Sequence, residues 1–263
     1  MLLVYSFLFT LGVIVTAPYY LWRLRGSLTS VSDWGERLGF LPHRFQQAER
    51  GAIWIHAVSV GETFAVTGLV REIHQRYPER SIFLSHVTTA GREAGEARLP
   101  GIAGRFLLPL DWSMCVRRAL RRIRPALLVV VETELWPNLI RSAHDAGARI
   151  VVVNGRISDR SFPRYRLVRP FMHRVLADLD CICAQSEVDA DRFRSLGAPQ
   201  DRVAVSGNLK FDAQPPQLGE FAKLLSRALA ALGRAPVIVA ASTMPGEEKL
   251  LLPAWERVRE RHR

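Results

Sequence analysis

The 263 residues are 48% hydrophobic and 23% charged, a balance that excludes an intrinsically disordered or low-complexity chain. The formal charge of +11 points to anionic partners, whether nucleic acid, acidic lipid or a phosphorylated substrate. Three cysteines at positions 115, 181 and 183 exclude a disulfide scaffold or zinc pair and fit reduced thiols in the cytosol.

Residues 1–22 contain no charged side chain, and Arg23 and Arg25 follow at once. About 20 apolar residues in a helix cover a ~30 Å hydrocarbon core, so this stretch reads as a transmembrane anchor. Tyr19, Tyr20 and Trp22 stand where interfacial rings prefer to lie. A cleaved signal peptide would want basic residues ahead of the apolar run and small residues at its end; neither is present. Positive charge just after the segment predicts a single pass with residues 23–263 on the cytoplasmic face. An anchored, basic chain favours an anionic membrane surface as partner. Nucleic acid is set aside, since no RNP aromatic pair or GXXG loop accompanies the charge.

Short β-branched runs at 53–58, 81–87, 126–131, 149–153, 180–184 and 203–206 then alternate with helical patterns at 62–77, 90–98, 113–124, 136–146, 165–177 and 187–196. The run Leu127–Leu128–Val129–Val130–Val131 is continuously apolar, as expected for a strand covered on both faces. The alternation predicts an α/β, doubly wound parallel sheet over residues 23–211. Residues 212–219, DAQPPQLG, read as a linker. Beyond it a helix at 220–232, a strand at 236–241, a turn at 243–246 and a further helix read as the opening βα unit of a second sheet domain over 220–263. One strand with two helices cannot bury its own apolar faces, so the chain reads as part of a longer protein.

Ligands of open α/β sheets gather outside the carboxyl ends of the strands. The first strand runs into His56–Ala57–Val58–Ser59–Val60–Gly61–Glu62. Gly61 suits a tight turn, and Glu62 falls in the first turn of the next helix, where free N–H groups and the helix dipole favour a carboxylate. Glu62 is therefore either a proton acceptor at the ligand edge or a first-turn cap. The fourth helical segment is preceded by Val131–Glu132–Thr133–Glu134–Leu135–Trp136–Pro137, which delivers Glu132 at a strand end and reads Glu134 as a solvated cap. Glu62 and Glu132, at the ends of two strands of one sheet, form a candidate pair able to shift one another's pKa. Lys210, in Gly207–Asn208–Leu209–Lys210–Phe211–Asp212, is either a cation that stabilises a departing phosphate or a surface lysine of the hinge. Arginines 156, 160, 164, 166, 169 and 174 interleave with Phe162, Tyr165 and Phe171, a mixture suited to a phosphorylated amphiphile at a headgroup layer. No HExxH, GxSxG, Walker loop or GxGxxG is present.

Six segments occur in order: DWGERLG at 33–39, HAVSVGE at 56–62, VVETELWP at 130–137, VNGR at 153–156, GNLKFD at 207–212 and ASTMPGEE at 241–248. Together with the apolar start they resemble the bacterial 3-deoxy-D-manno-octulosonic acid (Kdo) transferases of lipopolysaccharide synthesis. The resemblance implies a two-domain GT-B fold, with an acceptor-binding domain at 23–211 and the start of a CMP-sugar domain at 220–263. It implies inverting transfer of Kdo from CMP-Kdo to the lipid A precursor (lipid IVA) at the bacterial inner membrane, with no metal and no cofactor. By motif, Glu62 is implied as the proton acceptor, and Glu132 and Lys210 as transition-state stabilisers. The family usually has His where Met244 stands, which departs from the pattern on the donor side. With most of a second domain absent, the resemblance assigns no donor-binding residue here. The alternative it leaves is a membrane-tethered, catalytically inactive half that binds the acceptor lipid.

Overall fold

The computed structural model describes residues 1–24, 31–47, 51–212, 220–231, 233 and 238–261, in two compact units, Met1–Gln214 and Pro215–Arg263. The first unit is built on seven parallel strands: β1 (Ala52–His56), β2 (Ile82–His86), β3 (Gly104–Leu107), β4 (Pro125–Val131), β5 (Arg149–Gly155), β6 (Cys181–Ala184) and β7 (Val203–Val205), in the order β3-β2-β1-β4-β5-β6-β7. The chain builds outward from β1 through β2 to β3, then returns to lay β4 against the other side of β1. That reversal makes the gap between β1 and β4 the topological switch point, the place where such sheets leave a crevice for ligands.

Both sheet faces are covered, which is why the strands are apolar without alternation. Trp54, Phe83, Phe106, Leu128, Val130 and Val152 fill one side, and Ile53, Ile55, Leu84, Val129 and Val131 the other. The crossovers are α3 (Val60–Arg76), α4 (Thr89–Arg98), α5 (Ser113–Ile123), α6 (Pro137–Asp145), α7 (Phe162–Leu167) with α8 (Arg169–Ala177), and α9 (Glu187–Ser195). Six of the seven strands match the β-branched runs in sequence. The seventh, β3, reads Gly–Arg–Phe–Leu; with Arg105 inside it and no β-branched residue it does not register as a β-branched run. The helical stretch read as one at 165–177 is two helices, because Pro163 and Pro170 each sit in a first turn and divide the segment at Val168.

Ahead of the sheet lie α1 (Leu2–Leu24) and α2 (Val31–Arg37). The DWGERLG segment is a clamp. Asp33 and Glu36, both buried, meet Arg92 of α4 at 2.8 and 3.4 Å; Glu36 accepts a bond from the Leu107 N–H, and Arg37 donates to the Val87 carbonyl. These bonds tie α2 to the ends of β2 and β3 and explain why buried acids are tolerated there. Cys181 and Cys183 are free thiols on one face of β6, their sulfurs in a 3.9 Å hydrogen bond and not a disulfide.

In the second unit, α10 (Glu220–Ala231) and α11 (Glu248–Arg261) form as the sequence predicts. Part of the strand expected at 236–241 and most of the linker at 212–219 lie outside the described residues. Residues 238–241 pair with no strand among those described, and without a ladder an extended segment has nothing to hold it as a strand. Leu224, Leu225, Leu250, Leu251 and Leu252 of these helices are exposed.

Candidate active site at the switch point

The corner between β1 and α3 is ordered by reciprocal capping. Ser59, the N-cap, is extended, and its Oγ accepts a 3.4 Å bond from the Glu62 N–H. The Glu62 carboxylate turns back, accepting from the Val58 N–H at 2.8 Å and from the Ser59 hydroxyl at 3.0 Å. Glu62 is 8% exposed. Gly61 has an ordinary backbone conformation, and a Cβ there would meet only the Ser59 Oγ at 3.9 Å, so the turn does not depend on glycine. Beneath the corner, His86 Nδ1 lies 2.9 Å from the Ala57 carbonyl, and Ser85 joins His56 and the Trp54 indole N–H. Burial holds His56 at about 3 and His86 at about 4, so both rings are neutral supports.

Across the switch point, β4 ends at Val131 and Glu132 takes a left-handed conformation with φ +58°. Its N–H still bonds the Val153 carbonyl at 2.9 Å, which holds this uncommon conformation in place for a residue with a side chain. Thr133 donates to the Arg156 carbonyl, locking the turn to the end of β5, and Pro137 opens α6. The Glu132 carboxylate meets Lys210 Nζ at 3.6 Å. Lys210 rides on a 3-10 turn, Leu209–Asp212, that packs against α3. Asn154 fixes that turn: it is fully buried, left-handed (φ +56°), and its Oδ1 accepts the Leu209 N–H at 3.1 Å.

The three residues singled out by sequence are thus brought into one electrostatic group. Burial chiefly raises the Glu62 pKa. The Val58 N–H and the Ser59 hydroxyl oppose that rise, Glu132 adds to it, and Lys210 counters it. Glu134 corrects the expectation of a solvated cap. It is half-buried and pushed up to about 7 by burial and by the charges of Glu62 and Glu132, against the neighbouring Trp136 indole. It also raises the Tyr165 phenol, already lifted by burial. Two functional-looking residues therefore escaped the sequence reading, Glu134 and Asn154. The spacing Glu132–Thr133–Glu134 was a signal for the first; the second stood within the VNGR segment at 153–156, with no role assigned to it.

A doubly wound sheet whose two switch-point strands each lead into a glutamate, the second paired with a lysine, defines a Rossmann-like α/β domain, a class that places its ligands at this edge. Comparison with known proteins makes this specific. The chain belongs to the 3-deoxy-D-manno-octulosonic acid (Kdo) transferases, a glycosyltransferase family whose model matches residues 32–213. It is 34% identical over 221 residues to the 3-deoxy-D-manno-octulosonic acid transferase of Haemophilus influenzae, covering 82% of this chain and 50% of that protein. With the enzyme of the same description from Bordetella pertussis it shares 33% over 260 residues, 94% of this chain and 58% of the relative. A bifunctional glycosyltransferase/methyltransferase of Fusobacterium nucleatum is 36% identical over 209 residues, 79% and 32% of the two chains. Among solved structures, a UDP complex of S. aureus MnaA aligns with a TM-score of 0.49 at 15% identity, over 67% of this chain and 51% of that one. The chain spans about half the length, or less, of the curated relatives it matches first.

Proposed function

We propose that the chain is the acceptor-binding half of an inverting Kdo transferase acting at the cytoplasmic face of the bacterial inner membrane. The observation that carries this reading is the capped, buried Glu62 carboxylate beside the Glu132–Lys210 pair, at the switch point of a sheet belonging to this family. The acceptor is the lipid A precursor, lipid IVA, and the donor is CMP-Kdo. In the proposed step Glu62 takes the proton from an acceptor hydroxyl as that oxygen attacks the anomeric carbon from the face opposite the leaving CMP. The bond to the CMP phosphate breaks with its electron pair, and the Lys210 cation, oriented by Glu132, offsets the negative charge that develops. Chain groups perform each of these roles, so the proposal needs neither a metal nor a cofactor.

The electrostatics support the assignment of the base. A desolvated carboxylate near a second carboxylate is a stronger base than a free glutamate, while the Val58 and Ser59 donors and Lys210 favour its ionised form. The donors also aim it. Residues that hold CMP-Kdo are proposed to lie in the half of the relatives that this chain does not match.

The test is to incubate the chain in detergent with lipid IVA and CMP-Kdo, then read the lipid that co-purifies and its mass. The expected result is retained lipid IVA of unchanged mass. Absence of lipid would remove the acceptor-binding reading, and a mass gain of Kdo units would overturn the assignment of the donor site to the other half.

A further inference from the structure

The first turns of α1 present two faces, an apolar one in solvent and one docked on the domain. Leu3, Val4, Phe7, Leu8, Leu11, Ile14 and Val15 are exposed, and at 3.6 residues per turn they form one arc about 140° wide without a polar group. The opposite face is docked on the first unit through specific polar and aromatic contacts. The Asn138 side-chain amide donates to the Ser6 hydroxyl at 3.0 Å, and the Trp112 indole N–H donates to the Thr10 hydroxyl at 2.9 Å. The Tyr5 ring stacks on Phe171 of α8 at 5.8 Å, and Phe9 meets Trp112 edge-on at 6.1 Å. Asn138 is itself fixed, since its N–H and that of Leu139 bond the buried Asp111 carboxylate.

This docking is incompatible with a helix that crosses a bilayer. A crossing would part Ser6 from Asn138 and Thr10 from Trp112, leaving Thr10 only its bond to the Ser6 carbonyl inside the helix. It would also part Met1, Leu2 and Leu3 from the cleft of about 500 Å³ that they line with Phe171, Arg141 and Arg174. Arg141 is paired with Asp145 and Asp178, whereas Arg174 is exposed and has no ion pair among the described residues. Leu167, the last residue of α7, and Val168, between α7 and α8, are exposed apolar residues flanked by Arg164, Arg166 and Arg169.

We propose that α1 lies in the plane of an anionic phospholipid surface, its apolar arc sunk to the level of the acyl chains and its hydroxyl face bound to the domain. Charge complementarity favours lipid as the occupant. The apolar arc adjoins a helix pair rich in exposed arginine, and the whole chain carries +11. The arrangement replaces the crossing expected from length and composition alone. It also gives the membrane a role beyond tethering: Asn138, which holds α1, is in the first turn of α6, six residues beyond Glu132. A lipid acceptor drawn from the surface then reaches the switch point along the N-terminus of α6. How α1 meets lipid stands apart from the transfer chemistry; the route of the acceptor rests on the function proposed above.

Single nitroxides test it on the full chain carrying Cys115→Ala, Cys181→Ser and Cys183→Ser, in phosphatidylethanolamine–phosphatidylglycerol vesicles. Labels would be placed through Leu3→Cys, Phe7→Cys, Leu11→Cys and Ile14→Cys on the exposed arc, and through Leu2→Cys and Val13→Cys on the docked face. The expected result is one shared, shallow depth for the four arc labels, with lower oxygen accessibility at the two docked labels. A depth that passes through a maximum near Leu11, with Leu3 at the far interface, would show a crossing helix and overturn the proposal. Arc labels that stay out of lipid, or that broaden one another through contacts between two copies of the chain, would overturn it equally.

Discussion

The two corners that flank the switch point are built in opposite ways. At the β1–α3 corner the backbone is unstrained, and Glu62 is buried and bound by a backbone N–H and a hydroxyl. At the β4–α6 corner Glu132 is left-handed, its side chain is 27% exposed, and its charged partner Lys210 stands at 3.6 Å and is half in solvent. The first corner fixes a carboxylate before any substrate arrives. The second keeps a strained residue and an adjustable ion pair, which suits a group that must respond to charge on a ligand. In the reaction proposed above, a base needs aim more than adaptability, and a charge stabiliser beside a departing phosphate needs the reverse.

The largest expected effect tests the fixed corner. In an enzyme built out to the full length of the relatives, with residues 1–263 otherwise unchanged, Glu62→Gln should lower kcat by about 10²- to 10⁴-fold, the range for losing a general base. Glutamine keeps the shape and one acceptor, so the circular dichroism spectrum should stay that of the parent. A turnover within a few-fold of the parent would move the base elsewhere.

A smaller effect tests the strained corner. Glu132→Gly and Glu132→Ala both delete the carboxylate, but only alanine keeps the cost of a left-handed Cβ. Denaturant unfolding should find the glycine variant more stable than the alanine variant by about 1 kcal/mol. Equal stability would show that this backbone stores no strain.

The smallest effect sharpens the contrast through pH. Glu134 is raised to about 7 in the folded chain, well above the ordinary glutamate range. A carboxyl whose folded pKa is raised contributes its stability at low pH and loses it as pH rises through the folded value. Glu134→Gln should therefore leave the melting temperature unchanged near pH 4 and increase it relative to the parent at pH 8. An increase of the same size at both pH values would mean that the charge of Glu134 is not what costs stability there.

Much of this was legible in the sequence, for identifiable reasons. Strands covered on both faces must be apolar throughout, so β1, β2 and β4 to β7 stood out; β3, an edge strand with Arg105, did not. Glu62, Glu132 and Lys210 were visible because each follows an apolar strand, and strand ends are where α/β sheets place ligands. Their mutual proximity was not visible. It depends on β4 returning beside β1 and on Asn154 holding the Leu209 N–H, contacts between residues far apart in the chain. The burial of Glu134 was hidden for a related reason: a single left-handed residue at Glu132 redirects the turn that follows, and no local pattern announces a positive φ at glutamate. The docking of α1 was equally hidden, because composition reports that a helix is apolar and not which of its faces meets protein.

The central claim is that Glu62, Glu132 and Lys210 act on one another as a single charged group. A carbon-13 NMR titration of the Glu62 side-chain carboxyl in this chain tests it most directly. We predict a midpoint above the usual glutamate value in the parent, a lower one in Glu132→Gln and a higher one in Lys210→Met, because the first variant removes a repelling charge and the second an attracting one. A midpoint at the ordinary glutamate value, unmoved by either substitution, would contradict the account.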